Sequence, residues 1–266
     1  MSADPARWGD LRKRVLSAIV MLAVGASEIW LGGTSFSILV VLLTAAMFWE
    51  LANITSPGHM KTPLGMAAIA GACLAGAVLF RADLAAALLL IPALALALTP
   101  RRDRRVATAY GVCVMVAGYG LVELRNEGMP AILWLISVVI VSDVAGYFVG
   151  RTVGGPKFWP AISPKKTWSG TVAGWVGAVL VSIGFVLAGM APWQVVVLAP
   201  VVSFAGQLGD IAESWIKRRA GVKDSSGLIP GHGGVMDRFD ALIGAVVLVM
   251  LLSLVTSLPM PVSLGG

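Results

Sequence analysis

The chain has 266 residues, of which 58% are hydrophobic and only 13% charged, with a mean hydropathy of +0.87. Soluble domains carry about 25% charged residues, so this composition excludes a soluble globular protein and implies an integral membrane protein. The net charge of +6 does not indicate nucleic acid, because the bases fall in short segments between apolar runs instead of forming one stripe.

Hydropathy and chain breakers mark nine expected spans, at 15–31, 35–52, 65–80, 84–99, 106–122, 130–150, 170–189, 193–213 and 241–258. The expected fold class is all-α, a polytopic integral membrane helix bundle forming a single transmembrane domain over 1–266. Arg7, Arg12, Lys13 and Arg14 precede the first span and place the N-terminus in the cytoplasm. That span is read as an anchor, not as a cleaved signal. Threading from this start puts 18 of the 20 Lys and Arg on the cytoplasmic side, and only Arg81 and Arg125 fall outside it. Glu28 and Glu50 lie within four residues of a span end, where interfacial water is expected to solvate them, although Glu50 is on the side that would line a cytoplasmic cavity. His59, in the SPGHM loop, is read as solvated. Cys73 and Cys113 sit inside apolar runs and are read as packing residues, without the spacing of a disulfide or metal site. The RRDRR run at 101–105 is read as a topological or lipid-contacting element.

Two polar blocks interrupt this apolar pattern. The first, residues 142–170, holds Asp143 about eight residues before the end of its span, then KFWPAISPKKTWSG. An acid near the middle of a membrane helix costs about 2.5–3.5 kcal/mol, so Asp143 needs a reason to be there. It is either a functional ligand or the partner of a nearby base, with Tyr147 at i+4 able to hydrogen-bond it. Trp159 and Trp168 suit the headgroup zone, and Gly170 with Gly174 would permit close helix packing. The second block, residues 210–240, reads DIAESWIKRRAGVKDSSGLIPGHGGVMDRFD. If its start is helical, Asp210, Glu213, Ser214 and Lys217 share one face. Gly221, Gly227, Pro230, Gly231, Gly233 and Gly234 then break the helix and let backbone amides approach a ligand. Asp237 and Asp240, three apart, would begin the next helix. Two acidic pairs brought together suit a hard divalent cation such as Mg²⁺. No P-loop, strand-linked GxGxxG, HExxH, EF-hand or nucleophile elbow is present, so a covalent enzyme intermediate is unsupported.

The run SWIKRRAGVKDSSGLIPGHGGVMDRFD is similar to the signature of the phosphatidate cytidylyltransferases, the membrane enzymes that make CDP-diacylglycerol from CTP and phosphatidic acid. SDVAGYFVGRTVGGPKFWPAISPKKTWSG resembles the block that precedes it in that family. The resemblance covers roughly the C-terminal half, and the 27-residue signature is matched without departure. It implies CTP and phosphatidic acid as substrates, membrane lipids but no nucleic acid as surroundings, a homodimer, and a multi-pass protein of the inner (plasma) membrane with its active site facing the cytoplasm. The residues assigned to catalysis are Asp210, Asp237, Lys217 and Asp240. Asp210 and Asp237 lead the set of metal ligands, followed by Asp240, Asp143 and Glu213, for one Mg²⁺ or two. Substrate contacts are assigned to Ser163, Lys165, Lys166, Ser214, Arg218, Lys223, His232, Gly233, Gly234 and Arg238, with Gly231 also presenting its N–H. His232 is read as a phosphate or nucleotide contact, not a general base, because a phosphomonoester with a second pKa near 6 is already ionised at pH 7. The alternatives are a CTP-using polyprenol or phytol kinase, distinguished by its product, and an ion or solute transporter, distinguished by flux without CTP turnover.

Overall fold

The computed structural model describes residues 5–56, 62–80 and 84–261, with the side chains of the first helix described at Arg12 and from Arg14 onward. The expectation for His59 lies outside the described residues. The chain forms α1 Pro5–Leu31, α2 Gly33–Thr55, α3 Thr62–Phe80, α4 Ala85–Leu98, α5 Arg104–Glu127, α6 Met129–Thr152, a hairpin of β1 Lys157–Trp159 and β2 Ser163–Thr167, α7 Trp168–Leu187, α8 Gln194–Ala220 and α9 Met236–Ser253. The all-α membrane class is therefore correct, with nine helices among the described residues.

Seven of them, α1, α2, α3, α5, α6, α7 and α8, are long and apolar enough to cross a bilayer. Two of the nine expected spans fall short. With 14 residues, α4 is only about 21 Å long, less than the roughly 30 Å hydrocarbon core. Thr99 and Pro100 end it, since the residue before a proline is driven out of the helical region. Helix α9 starts at Met236, ahead of the expected 241, so its first turns carry Asp237, Arg238 and Asp240, and it stops at Ser253. Hydropathy marks depth in a membrane, not the hydrogen-bonded ends of a helix.

The chain divides into two compact units, each assembled from separate stretches, which is why no boundary shows in the sequence. Unit 1 comprises residues 1–112 and 220–239. In it α2 packs on α3 and α3 on α4, around the fully buried Phe48, Leu51, Leu74 and Leu96. Arg101 ties off α2: its Nη1 donates to the Ala52 carbonyl at 2.8 Å, while the Arg102 N–H donates to the Thr55 carbonyl at 2.9 Å. Val15, Leu16, Ile19, Val20 and Leu22 of α1 are exposed, as lipid-facing residues are.

Unit 2 comprises residues 113–219 and 240–266. Here α6 lies along α7. A Cβ on Gly170 would stand 2.5 Å from the Gly146 carbonyl oxygen, and one on Gly174 would meet Gln207 Nε2 at 2.5 Å. The small-residue spacing at 170 and 174 thus does what was expected of it. Between α6 and α7 the segment read as a loop is instead an antiparallel hairpin, with Lys157 opposite Thr167 and Trp159 opposite Ser163. Its prolines suggested irregular chain, but both strands of a two-stranded hairpin are edges, where Pro164 removes no needed ladder bond.

Candidate active site

In unit 1 the segment after α8 is a loop because Gly221, Gly231 and Gly233 take φ of 77°, 74° and 86°, a region that favours glycine. The Ile229 N–H donates to the Gly233 carbonyl at 2.8 Å and the His232 N–H to the Ile229 carbonyl at 2.9 Å, closing a tight turn. Asp237, at the start of α9, is buried and folds back on this loop. Its Oδ2 accepts from the Ser225 N–H at 2.9 Å, the Ser225 hydroxyl at 3.0 Å and the Gly234 N–H at 2.7 Å. An acid in the first turn of a helix also suits the positive end of the helix dipole. One oxygen of the expected metal ligand is therefore committed to the loop. The Gly234 amide, expected to face phosphate, serves Asp237 instead.

Glu50 of α2 supplies a second brace that the sequence did not reveal. It is fully buried, where interfacial solvation was expected. Its Oε1 accepts from the Ser226 hydroxyl at 2.5 Å and the Val235 N–H at 2.8 Å, and its Oε2 from the Met236 N–H at 2.6 Å. Distance from a span end says nothing about which face of the helix a residue occupies, and this face is covered. His232 Nδ1 lies 2.8 Å from Ser17 Oγ of α1, which is also 3.0 Å from the Pro230 carbonyl. Lys223 and Arg238 are exposed.

In unit 2 the helical start of the second block holds, and α8 runs on to Ala220. Lys217, Arg218 and Arg219 form its last turn, where cations suit the helix dipole, and Arg218 is exposed. Ser214 Oγ donates to Asp210 Oδ1 at 3.2 Å. The other oxygen of Asp210 pairs with Lys166 Nζ at 2.5 Å, and Lys166 also donates to the Gln207 carbonyl at 3.2 Å. Successive residues of a strand point to opposite faces. Lys166 of β2 therefore reaches α8, whereas Lys165 is exposed, and the two adjacent lysines do not act as a pair. Ser163 is half-buried opposite Trp159.

Asp143 of α6 is within electrostatic reach of Asp210 and Lys166, and it stays accessible although protein surrounds it on most sides. Asp240 of α9 is within reach of Asp210, Asp143 and Lys217. Three carboxylates from three helices thus share one field, in which an opposite charge favours their ionised form. Tyr147, read as able to hydrogen-bond Asp143, has its hydroxyl accepting from Arg151 Nη1 at 2.7 Å. Glu213 and Lys217 pair with each other at 2.5 Å along α8, with Glu213 fully buried.

Behind Asp210 lies a network absent from the sequence reading. Gln207 Nε2 donates to the Thr171 carbonyl at 3.2 Å and to Ser142 Oγ at 3.3 Å, Trp175 Nε1 donates to Gln207 Oε1 at 3.2 Å, and Ser142 and Ser203 bond at 2.7 Å. A glutamine three residues before an aspartate in an apolar span was a signal that could have been read.

The donor chemistry near Asp210 suits a hard cation: one carboxylate oxygen, of Asp210, and one carbonyl oxygen, of Gln207, meet the Lys166 ammonium. Among the described residues, no three His, Cys, Asp or Glu side chains stand close enough to ligate one ion. Of the five acids, Glu213 is paired with Lys217, and an oxygen of Asp237 is held by its own loop. Mg²⁺ ordinarily takes one or two carboxylates together with water and substrate phosphates, a use that Asp210 with Asp143 or Asp240 fits.

The sequence pattern of the cytidylyltransferase family matches residues 12–256. The chain belongs to that family. Among its relatives, the phosphatidate cytidylyltransferase of Brucella suis biovar 1 is 35% identical over 263 residues, 94% of this chain and 96% of that protein. The phosphatidate cytidylyltransferase of Staphylococcus haemolyticus is 31% identical over 87% of this chain and 94% of its own length. That of Staphylococcus saprophyticus is 44% identical over 124 residues, 46% of this chain and 48% of that protein. The region matched to the cytidylyltransferases contains both polar blocks and also Ser17 and Glu50, so the residues that brace the loop lie inside the family's domain.

Proposed function

We propose that this cytidylyltransferase transfers the cytidylyl group of CTP to phosphatidic acid, giving CDP-diacylglycerol and pyrophosphate. The observation that carries the reading is the convergence of Asp143, Asp210 and Asp240 from α6, α8 and α9 on one neighbourhood with Lys166 and Lys217. The relatives named phosphatidate cytidylyltransferase supply the substrate class.

A phosphate oxygen of phosphatidic acid attacks the α-phosphorus of CTP. The new P–O bond forms as the bond from that phosphorus to the oxygen bridging it to the β-phosphorus breaks, and pyrophosphate leaves with the electron pair. The lipid phosphate is already ionised at pH 7, so no general base is required, and His232 holds the loop turn with Ser17. Two polyanions must be brought in line, and the contribution of the chain is position and charge neutralisation. Asp210, with Asp143 or Asp240, would hold Mg²⁺ together with water and the substrate phosphates, and the ion would supply positive charge to the phosphate oxygens. Lys166, next to these acids, and the exposed Arg218 would contact phosphates. On this reading the lipid comes from the bilayer and CTP from the cytoplasm, so the site would face the cytoplasm from the inner membrane, in line with the bases that precede the first span.

The test uses the full chain in detergent with CTP and Mg²⁺. Pyrophosphate release should depend on phosphatidic acid and match CDP-diacylglycerol formation one for one. Release of CDP with phosphorylation of an added polyprenol, or ion flux in liposomes without CTP turnover, would refute the reading.

A further inference from the structure

Glu50 lies in the last turns of α2, a helix long and apolar enough to cross a membrane, with none of its surface exposed. A carboxylate is a costly way to fill such a space, and an apolar residue would fill it at least as well. Its use must lie in what it accepts. All three of its hydrogen bonds come from the signature loop: Ser226 before the Ile229–Gly233 turn, and Val235 and Met236 after it. Asp237 joins the same two sides of the turn through Ser225 and Gly234. Gly234 is pressed so closely between Ser225 and Glu50 that a Cβ there would overlap both. The Val235 and Met236 amides open α9 and have no carbonyl of their own helix to bond. Glu50 therefore takes up the positive end of that helix dipole and fixes where α9 begins, with Asp237 and Arg238 next in the chain.

We propose that Glu50 is a positioning residue for cytidylyl transfer. Buried away from CTP and lipid, it closes the two sides of the signature loop and sets the first turn of α9, and so places the side chains that follow. The inference rests on the proposed function of that loop.

The test is Glu50→Gln in the full-length chain, which keeps the shape but turns an amide NH₂ toward a backbone N–H. At saturating CTP and phosphatidic acid, turnover should fall about 100-fold with both KM values within about threefold, the cost of an unmet buried donor. In the same variant the Val235 and Met236 amides should exchange hydrogen at least about tenfold faster while α2 and α3 exchange as before. Ser226→Ala removes one of the three bonds and should show the same pattern at about tenfold or less. It also carries the test should Glu50→Gln not fold. Unchanged turnover and exchange would overturn the proposal. So would faster exchange throughout α2 and α3, which would mark Glu50 as a support of the fold alone. A wild-type chain that makes no CDP-diacylglycerol would overturn the functional reading, while exchange at Val235 and Met236 would still report whether Glu50 closes the loop.

Discussion

Asp210 faces two ways: one oxygen accepts from Ser214 and the other meets Lys166. Asp210→Asn keeps its size and removes its charge from the field shared with Asp143 and Asp240. Turnover should drop by at least about 100-fold, with the thermal midpoint in detergent little changed; retained activity would remove Asp210 from the site. The neighbouring lysines give a sharper comparison. Lys166→Met takes a counter-ion from a partly buried carboxylate and should lower kcat/KM for CTP by about 10- to 100-fold. Lys165→Met, on the exposed face of the same strand, should cost less than about threefold. Equal effects in steady-state kinetics would contradict the sorting of the two side chains by strand alternation. At this scale the sequence showed which residue types carry the chemistry but not their partners. That Asp237 serves the loop, and that Glu213 serves Lys217, depends on where neighbouring backbone N–H groups and side chains end up after folding.

Helices α8 and α9 meet with backbone against backbone. A Cβ on Gly244 would overlap the Ala205 carbonyl, and one on Gly209 would overlap that of Asp240. This approach is what lets Asp210 and Asp240 share a field. Gly244→Ala should therefore cost about 1–3 kcal/mol, read as a thermal midpoint several degrees lower, and should reduce turnover as well. Gly184→Ala, with nothing within 4 Å of the added carbon, should leave both unchanged. Similar midpoints for the two variants would refute the packing argument. The ends of these helices were poorly legible for a definite reason. The apolar pattern of α8 stops near Glu213, yet its backbone bonds continue until Gly221, whose positive φ suits a helix end. The hairpin was hidden for the opposite reason, because prolines that mark loops are harmless on edge strands.

For the whole chain, composition alone settled the membrane class, because 13% charge cannot clothe a soluble surface. The braces of the loop were not legible: Glu50 and Ser226 are 176 residues apart, and no local periodicity encodes that contact. The sidedness expected from the positions of the bases counts α4 as a crossing and is open to direct trial. Arg102→Cys and Lys223→Cys, each in an otherwise cysteine-free chain, should react with an impermeant maleimide only from the cytoplasmic face. Labelling of Arg102→Cys from the outer face would mean that the short α4 does not cross the bilayer. The most direct measurement of the central claim follows the phosphorus atoms of CTP, supplied labelled at either the α or the γ position, with phosphatidic acid and Mg²⁺. The account predicts that α-label enters the lipid while γ-label leaves in pyrophosphate, and that Asp210→Asn stops both; γ-label in the lipid would contradict it.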